Sequence, residues 1–142
     1  MIGSVAIPAI VVTGLREASK TIDLQKPLMK PFFPEIERCQ SGTINLNLAL
    51  PLQVRLPDIV TDPLPWPQDR PGANERFGIT RVELEFSENR RDSAWLYTAE
   101  QSPYRFNDFI AEIIAGHLPW VKPGVSCTLH IPRCRAHTIL IV

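Results

Sequence analysis

The sequence carries no net charge, because 15 lysine and arginine residues balance 15 aspartate and glutamate residues. A chain without net charge has no long-range field to draw it to nucleic acid or to an anionic membrane surface. It is also poor in cysteine: Cys39, Cys127 and Cys134 are an odd number at irregular spacing. Such a set does not suit a disulfide framework and is typical of a reducing compartment. We therefore expect no nucleic-acid partner and a cytoplasmic location.

Long hydrophobic runs are missing as well. The longest apolar stretch near the start, 5–12, is interrupted by Pro8 and has no basic residue before it. It is far shorter than the roughly 20 apolar residues that a membrane-spanning helix needs, and it lacks the features of a signal peptide. We therefore expect no membrane partner. The length of 142 residues is that of one ordinary domain, so we expect a single domain over residues 1–142.

Proline, in contrast, is abundant, with 14 residues in the chain. Five of them fall within 57–75, namely Pro57, Pro63, Pro65, Pro67 and Pro71. Proline cannot donate to a β ladder and biases the preceding residue toward extended backbone. The segment 57–75 is therefore expected to be a long irregular loop inside the domain, a type of loop that is usually functional or mobile. Trp66 within it is expected either to cover apolar surface or to stack on a planar ligand.

Alternation of apolar and polar residues predicts a mainly β fold. Strands are expected at 5–13, 43–50, 79–86, 93–98, 125–131 and 138–142. Before 125–131, the residues Lys122-Pro123-Gly124 suit a type II turn, which favours proline second and glycine third.

The strand at 43–50 has an unusual polar face, made of the neutral side chains Thr43, Asn45 and Asn47. Thr43 and Asn45 are two residues apart, about 6.5–7 Å along a strand, and point to the same side. A hydroxyl and an amide carbonyl are ligands suited to Mg²⁺, provided that phosphate oxygens fill its other positions. The alternative is an ordinary solvated strand face.

One segment has helical spacing, i, i+3, i+4, i+7 and i+8, in Phe106, Phe109, Ile110, Ile113 and Ile114. Asn107 or Asp108 suits the N-cap, and Gly116 suits the left-handed residue that follows a helix. The sequence therefore predicts the one main α-helix at 106–115, with Glu112 beside its apolar stripe. Many strands with one helix indicate a small barrel, or a sheet with a helix over one opening.

Four segments, in order, resemble the archaeal CTP-dependent riboflavin kinases. They are Val12-Thr13-Gly14-Leu15, Gly42-Thr43-Ile44-Asn45-Leu46, Ala111-Glu112-Ile113-Ile114-Ala115 and Lys122-Pro123-Gly124-Val125. The similarity covers 8–131, with a proline-rich loop longer than is usual in the family. It implies a six-stranded cradle-loop β-barrel that transfers a phosphoryl group from a nucleotide to the primary hydroxyl of a flavin-like acceptor.

The resemblance also assigns residues to roles. Thr43 and Asn45 fall on the Mg²⁺-binding positions, and Glu112 falls on the catalytic acidic residue, which also contacts the flavin. A second substrate contact falls at Ser102 or Tyr104. Mg²⁺ is expected to arrive with the nucleotide, and no tightly bound metal or prosthetic group is expected. The partners implied are small molecules, and the oligomeric state stays open.

The nucleotide loop of the family corresponds to Gly14, Leu15 and Arg16, but the family pattern Gly-x-Gly-x-Gly is replaced here by Gly14-Leu15-Arg16-Glu17-Ala18. The basic Leu-Arg nucleotide contact that follows the Glu-Ile-Ile-Ala segment in the family is replaced by Leu118-Pro119. These changes favour weak use of CTP. They also support an alternative function, a non-catalytic barrel that binds a flavin or a nucleotide.

A third hypothesis is a zinc site formed by Cys127-x-x-His130 and Cys134-x-x-His137. Cys127 and His130 are at odd spacing on a predicted strand, so their side chains are expected to face opposite sides. An inward cysteine and an outward histidine are the ordinary alternative.

Overall fold

The structure is a computed structural model that describes residues 3–13, 18–40, 42–65, 74–87, 90–100, 102, 104 and 106–138. The predicted nucleotide-binding residues Gly14, Leu15 and Arg16 lie outside these ranges, as does Trp66. The end of the last predicted strand, 139–142, lies outside them too.

The described chain is mainly β, as predicted, with one α-helix. The strands are β1 Ser4–Val12, β2 Ile44–Leu48, β3 Leu52–Val54, β4 Ile59–Val60, β5 Leu64–Pro65, β6 Asn74–Glu75, β7 Phe77–Ser87, β8 Arg90–Ala99, β9 Ile110–Ile114, β10 Ser126–Pro132 and β11 Ala136–Thr138. The α-helix, α1, spans Ala18–Met29, and short 3-10 helices span Pro34–Arg38 and Arg133–Arg135.

Six strands form a closed ring of antiparallel pairings, in the order β10, β1, β2, β9, β8 and β7. The ring closes because β7 pairs with β10 through Leu84 and Leu129. Strand β4 also pairs with β7, while β3 pairs with β11 and β5 pairs with β6. The polypeptide therefore surrounds an interior toward which alternate residues of every ring strand point.

Two hydrophobic clusters stabilise this arrangement. The first receives side chains from all six ring strands, including Ile7, Leu46, Leu84, Leu96, Ile113 and Leu129. The second lies on the outer face of β7, β8 and β9, where α1 and the following 3-10 helix cover Phe77, Ile79, Tyr97 and Ile114 with Met29, Phe33 and Ile36. Part of the ring is therefore buried on both faces.

The predicted helix at 106–115 is wrong, because residues Ile110–Ile114 form strand β9. Ala111 and Ile113 point into the ring, while Ile114 packs in the outer cluster. A strand buried on both faces loses its polar alternation, so a few apolar residues match helical spacing by chance. Phe106, which the helix would have placed on its apolar stripe, is 88% exposed.

The residues expected to cap that helix make turns instead. The side chain of Asn107 accepts the backbone N–H of Phe109 at 3.1 Å, an Asx turn. Gly116 is not among the described glycines with positive φ, which are Gly42 and Gly124. Gly124 has φ of 95° and Val125 N–H donates to Lys122 O at 3.1 Å, which confirms the predicted turn before β10.

Helix α1 was not predicted, because its sequence is polar and contains Pro27. Proline inside a helix removes one hydrogen bond, and here it lies in the last turn, where the loss is small. Gln25 and Met29, one turn apart, are both fully buried, and Lys26 Nζ donates to the carbonyl of Cys39 at 2.7 Å. Tertiary packing therefore holds a segment whose own pattern is weak.

The proline-rich segment 57–75 is less irregular than expected. Its described part contains the short strands β4, β5 and β6. Strand β4 pairs with β7 at Ile59 and Ile79, so this part of the segment extends the main sheet.

Candidate functional site

The two predicted metal ligands lie at the start of β2. Gly42, with φ of 92°, leads the chain into the strand. The Thr43 hydroxyl donates to Asn45 Oδ1 at 3.0 Å, so the two oxygens lie side by side as the strand period requires. Asn45 is only 8% exposed, whereas Asn47 is exposed on the same strand. The alternative of an ordinary solvated face is therefore wrong at Asn45.

Strand pairing brings Glu112 next to this pair. Asn45 of β2 is the register partner of Glu112 of β9, and Glu112 is in turn the partner of Tyr97 of β8. Partners on adjacent antiparallel strands project from the same face, about 4.5–5.5 Å apart at Cβ. Val12 and Ile79 extend this row on either side. The structure thus assembles the predicted metal and catalytic residues in one row across the sheet.

The three predicted substrate-binding residues form one hydrogen-bonded chain. The Ser102 hydroxyl donates to Glu112 Oε2 at 2.6 Å, and the Tyr104 backbone N–H donates to Ser102 Oγ at 3.1 Å. The sequence left the choice between Ser102 and Tyr104 open, and both reach Glu112 through this chain. It is the turn after β8, not a helix, that brings Ser102 to the middle of β9.

Burial raises the pKa of two side chains in this row, Glu112 and Tyr97. Desolvation raises the pKa of Glu112 above its ordinary value, and the hydrogen bond from Ser102 offsets part of that rise. Desolvation also raises the pKa of Tyr97 well above its ordinary value, with further contributions from the carboxyl groups of Glu75 and Glu112. Tyr97 therefore stays a neutral phenol, and Glu112 is poised to exchange a proton at a higher pH than a solvated glutamate.

A cavity of about 610 Å³ lies beside Glu112. Glu112, Ser102, Tyr104 and Tyr97 line it, together with the ring-interior residues Leu96 and Ala111. This volume is within the usual range for a small-molecule site. The lining residues do not include Thr43 or Asn45. The cavity therefore meets this row at Glu112 and Tyr97.

Other polar residues at the cavity were not predicted from the sequence. Glu100 Oε1 accepts the backbone N–H of Arg76 at 2.6 Å, and Gln53 Nε2 donates to Asp108 Oδ2 at 2.9 Å. All four line the cavity. They come from separate turns and short strands, and no spacing in the sequence connects them.

The zinc hypothesis gains no support from the geometry. Cys127 points into the ring core, and burial raises the pKa of its thiol to about 11. His130 lies on the opposite face, where its Nε2 is 2.7 Å from Glu85 Oε1. Across the described ranges, no group of three His, Cys, Asp or Glu side chains is placed to hold a metal.

Comparison of the sequence with models of known protein families gives no match, and neither does comparison with the curated proteins. In the part of the chain that the structure describes, no helix is long and apolar enough to cross a membrane.

Proposed function

We propose that the protein is a divergent cradle-loop barrel of the riboflavin kinase type, which transfers a phosphoryl group from a nucleotide to the primary hydroxyl of a flavin-like acceptor. One observation carries the proposal: Asn45 and Glu112 are register partners, and Glu112 lines a cavity of small-molecule size. The predicted oxygen ligands and the predicted base, far apart in the sequence, are thereby brought within reach of a single phosphoryl group.

The donor set at Thr43 and Asn45 suits Mg²⁺. Their side-chain oxygens are 3.0 Å apart. Adjacent oxygens of an octahedral Mg²⁺ site, each about 2.1 Å from the ion, are separated by about 3.0 Å. Two neutral ligands bind Mg²⁺ weakly alone, so a nucleotide would have to bring the rest of the coordination sphere. Bound there, Mg²⁺ would neutralise charge on the transferring phosphoryl group.

Glu112 is suited to hold the acceptor hydroxyl. Its carboxylate lines the cavity, and its raised pKa makes it a stronger base than an exposed glutamate. In the proposed step it accepts the proton of the hydroxyl as the acceptor oxygen bonds to the γ-phosphorus. The bond from that phosphorus to the bridging oxygen breaks, and a nucleoside diphosphate leaves.

The direct test is phosphoryl transfer to riboflavin. The protein is incubated with riboflavin, Mg²⁺ and CTP, ATP, GTP or UTP in turn, and FMN is quantified by chromatography. We expect FMN from at least one nucleotide. We expect little from CTP, because Arg16, Ala18 and Pro119 replace residues that hold CTP in the family that the sequence resembles. Glu112→Gln should remove the activity, whereas Glu83→Gln, an exposed carboxylate on β7, should retain it. No FMN from any of the four nucleotides would refute the proposal.

A second candidate function is non-catalytic binding of a flavin or a nucleotide. It is favoured by the absence of Thr43 and Asn45 from the cavity lining, since a ligand can then fill the cavity without reaching them. A thermal-shift measurement with riboflavin, with and without Mg²⁺ and nucleotide, tests it. A ligand at 100 times its Kd stabilises the native state by about 2.7 kcal/mol. Stabilisation by riboflavin alone, without transfer from any nucleotide, would make binding the better answer.

A further inference from the structure

Ser102 is fixed in the turn that follows β8. Its backbone N–H donates to the carbonyl of Ala99 at 3.1 Å, and its Oγ accepts the backbone N–H of Tyr104 at 3.1 Å. The residue is only 7% exposed. A serine hydroxyl has a single hydrogen to donate, and here that hydrogen goes to Glu112 Oε2. Hydrogen bonds with the backbone of Ala99 and of Tyr104 therefore restrain the Ser102 hydroxyl.

The bond to Glu112 engages only one of its two oxygens. The Ser102 Oγ to Glu112 Oε2 distance is 2.6 Å, within the roughly 2.5–2.7 Å found when a hydroxyl donates to an ionised carboxylate. Within the part of the chain that the structure describes, no hydrogen bond reaches Glu112 Oε1. The hydrogen bond from Ser102 thus holds the carboxyl group at Oε2 and does not occupy Oε1, and the residue itself lines the cavity.

We propose that Ser102 is a positioning residue, which orients Glu112 for proton abstraction through the bond to Oε2 instead of acting by contact with the acceptor. This inference rests on the function proposed above for Glu112. It predicts that the hydrogen-bonding capacity of residue 102 controls the proton affinity of the Glu112 carboxyl group and the kcat of the reaction. The affinity of the protein for the acceptor should change little.

The test compares three substitutions at one position. Ser102→Ala removes the donor, Ser102→Cys keeps the shape but donates weakly, and Ser102→Thr keeps a hydroxyl. Ser93→Ala, an exposed serine on β8, is the matched control. Titration of the Glu112 side-chain carboxyl carbon by NMR measures the proton affinity of Glu112 and does not require activity. The pH profile of kcat and KM for riboflavin, with Mg²⁺ and the best nucleotide, measures the effect of that proton affinity on the reaction.

We expect Ser102→Ala to move the Glu112 titration and the acidic limb of the kcat profile to higher pH, because a bond that favours the carboxylate is lost. We also expect kcat to fall about 10- to 100-fold while KM stays within about two-fold. Ser102→Cys should be intermediate, Ser102→Thr should restore the parent behaviour, and Ser93→Ala should match the parent.

The outcomes separate this inference from the proposed function. An unchanged Glu112 titration in Ser102→Ala and Ser102→Cys would overturn the positioning role, even if both proteins still form FMN. A large rise in KM with kcat unchanged would show that Ser102 contacts the acceptor and would overturn it as well. A shifted titration in a protein that forms no FMN would support the Ser102–Glu112 coupling and refute the kinase proposal alone. If Ser102→Ala does not fold, Ser102→Cys and Ser102→Thr decide the result.

Discussion

Asn45 and Glu112 are register partners on β2 and β9, and their side chains project from the same outer face of the ring. An amide side chain and a carboxyl group of raised pKa therefore lie side by side, although the ring strands β7 and β8 lie between them in the sequence. Each is held from its other side, Asn45 by the hydroxyl of Thr43 and Glu112 by that of Ser102. The relationship supports predictions for substitutions at both residues.

Asn45→Ala should abolish FMN formation, because it removes one of the two proposed metal ligands. The sequence placed Asn45 on a solvent-facing position, but its burial and the bond from Thr43 indicate a stability cost of about 1 kcal/mol. Asn47→Ala, on an exposed position of the same strand face, should retain activity and change stability by less than about 0.5 kcal/mol. Activity assays and urea unfolding of both variants measure these effects. Parental activity in Asn45→Ala would rule out the metal role.

Glu112→Gln should lose activity while gaining stability relative to the parent as pH rises. The pKa of Glu112 is raised above 4.5 by burial, so the folded chain binds its proton more readily than the unfolded chain does. The stability contributed by this group is complete below the unfolded pKa and is lost as pH rises through the folded pKa. Glutamine does not titrate, so it avoids that loss. Urea unfolding from about pH 4 to about pH 8 measures the difference, and a difference independent of pH would contradict the expectation.

Gly78→Ala should destabilise the fold by about 1–3 kcal/mol through overpacking. A Cβ at this position would clash with Thr98 Oγ1 and would lie 3.0 Å from Pro57 Cγ. Adding Thr98→Ala should recover part of the loss, since it removes the closer contact and leaves Pro57. Gly3→Ala, with nothing within 4 Å of its Cβ, serves as the control. Thermal unfolding compares the parent, Gly78→Ala, Thr98→Ala, the double variant and Gly3→Ala. Additive effects of the two substitutions in the double variant would argue against a direct clash.

Ile114→Ala should cost about 2–5 kcal/mol, because Ile114 is fully buried in the outer cluster. Phe106→Ala should cost less than about 0.5 kcal/mol, because Phe106 is 88% exposed. An amphipathic helix at 106–115 would bury both residues and make both substitutions costly. Denaturant unfolding of the two variants therefore distinguishes the strand from the helix, and equal large losses would favour the helix.

The structure brings Glu112 and Asn45 together, but the element that carries Glu112 was predicted wrongly. Glu112 was assigned to a helix, but it lies on a strand next to Asn45. The order of the resembling segments along the chain is compatible with either element. The Ser102 and Tyr104 positions also meet Glu112 in one hydrogen-bonded chain. By contrast, Glu100 and Asp108 were missed, since each reaches the cavity from a turn with no periodic signal.

The sequence by itself determined the strands whose two faces differ, such as β7 and β10, because alternation of side chains is a local property of extended backbone. It also determined the turn at Gly124, whose positive φ is favourable for glycine without help from distant residues. Only the tertiary structure decided the state of 110–114 and of 18–29. Strand β9 exists because β2 and β8 pair with it on either side, and α1 exists because Met29 packs on the outer cluster. Strand β9 and helix α1 both depend on contacts between residues far apart in the chain. The local periodicity of the sequence does not indicate those contacts.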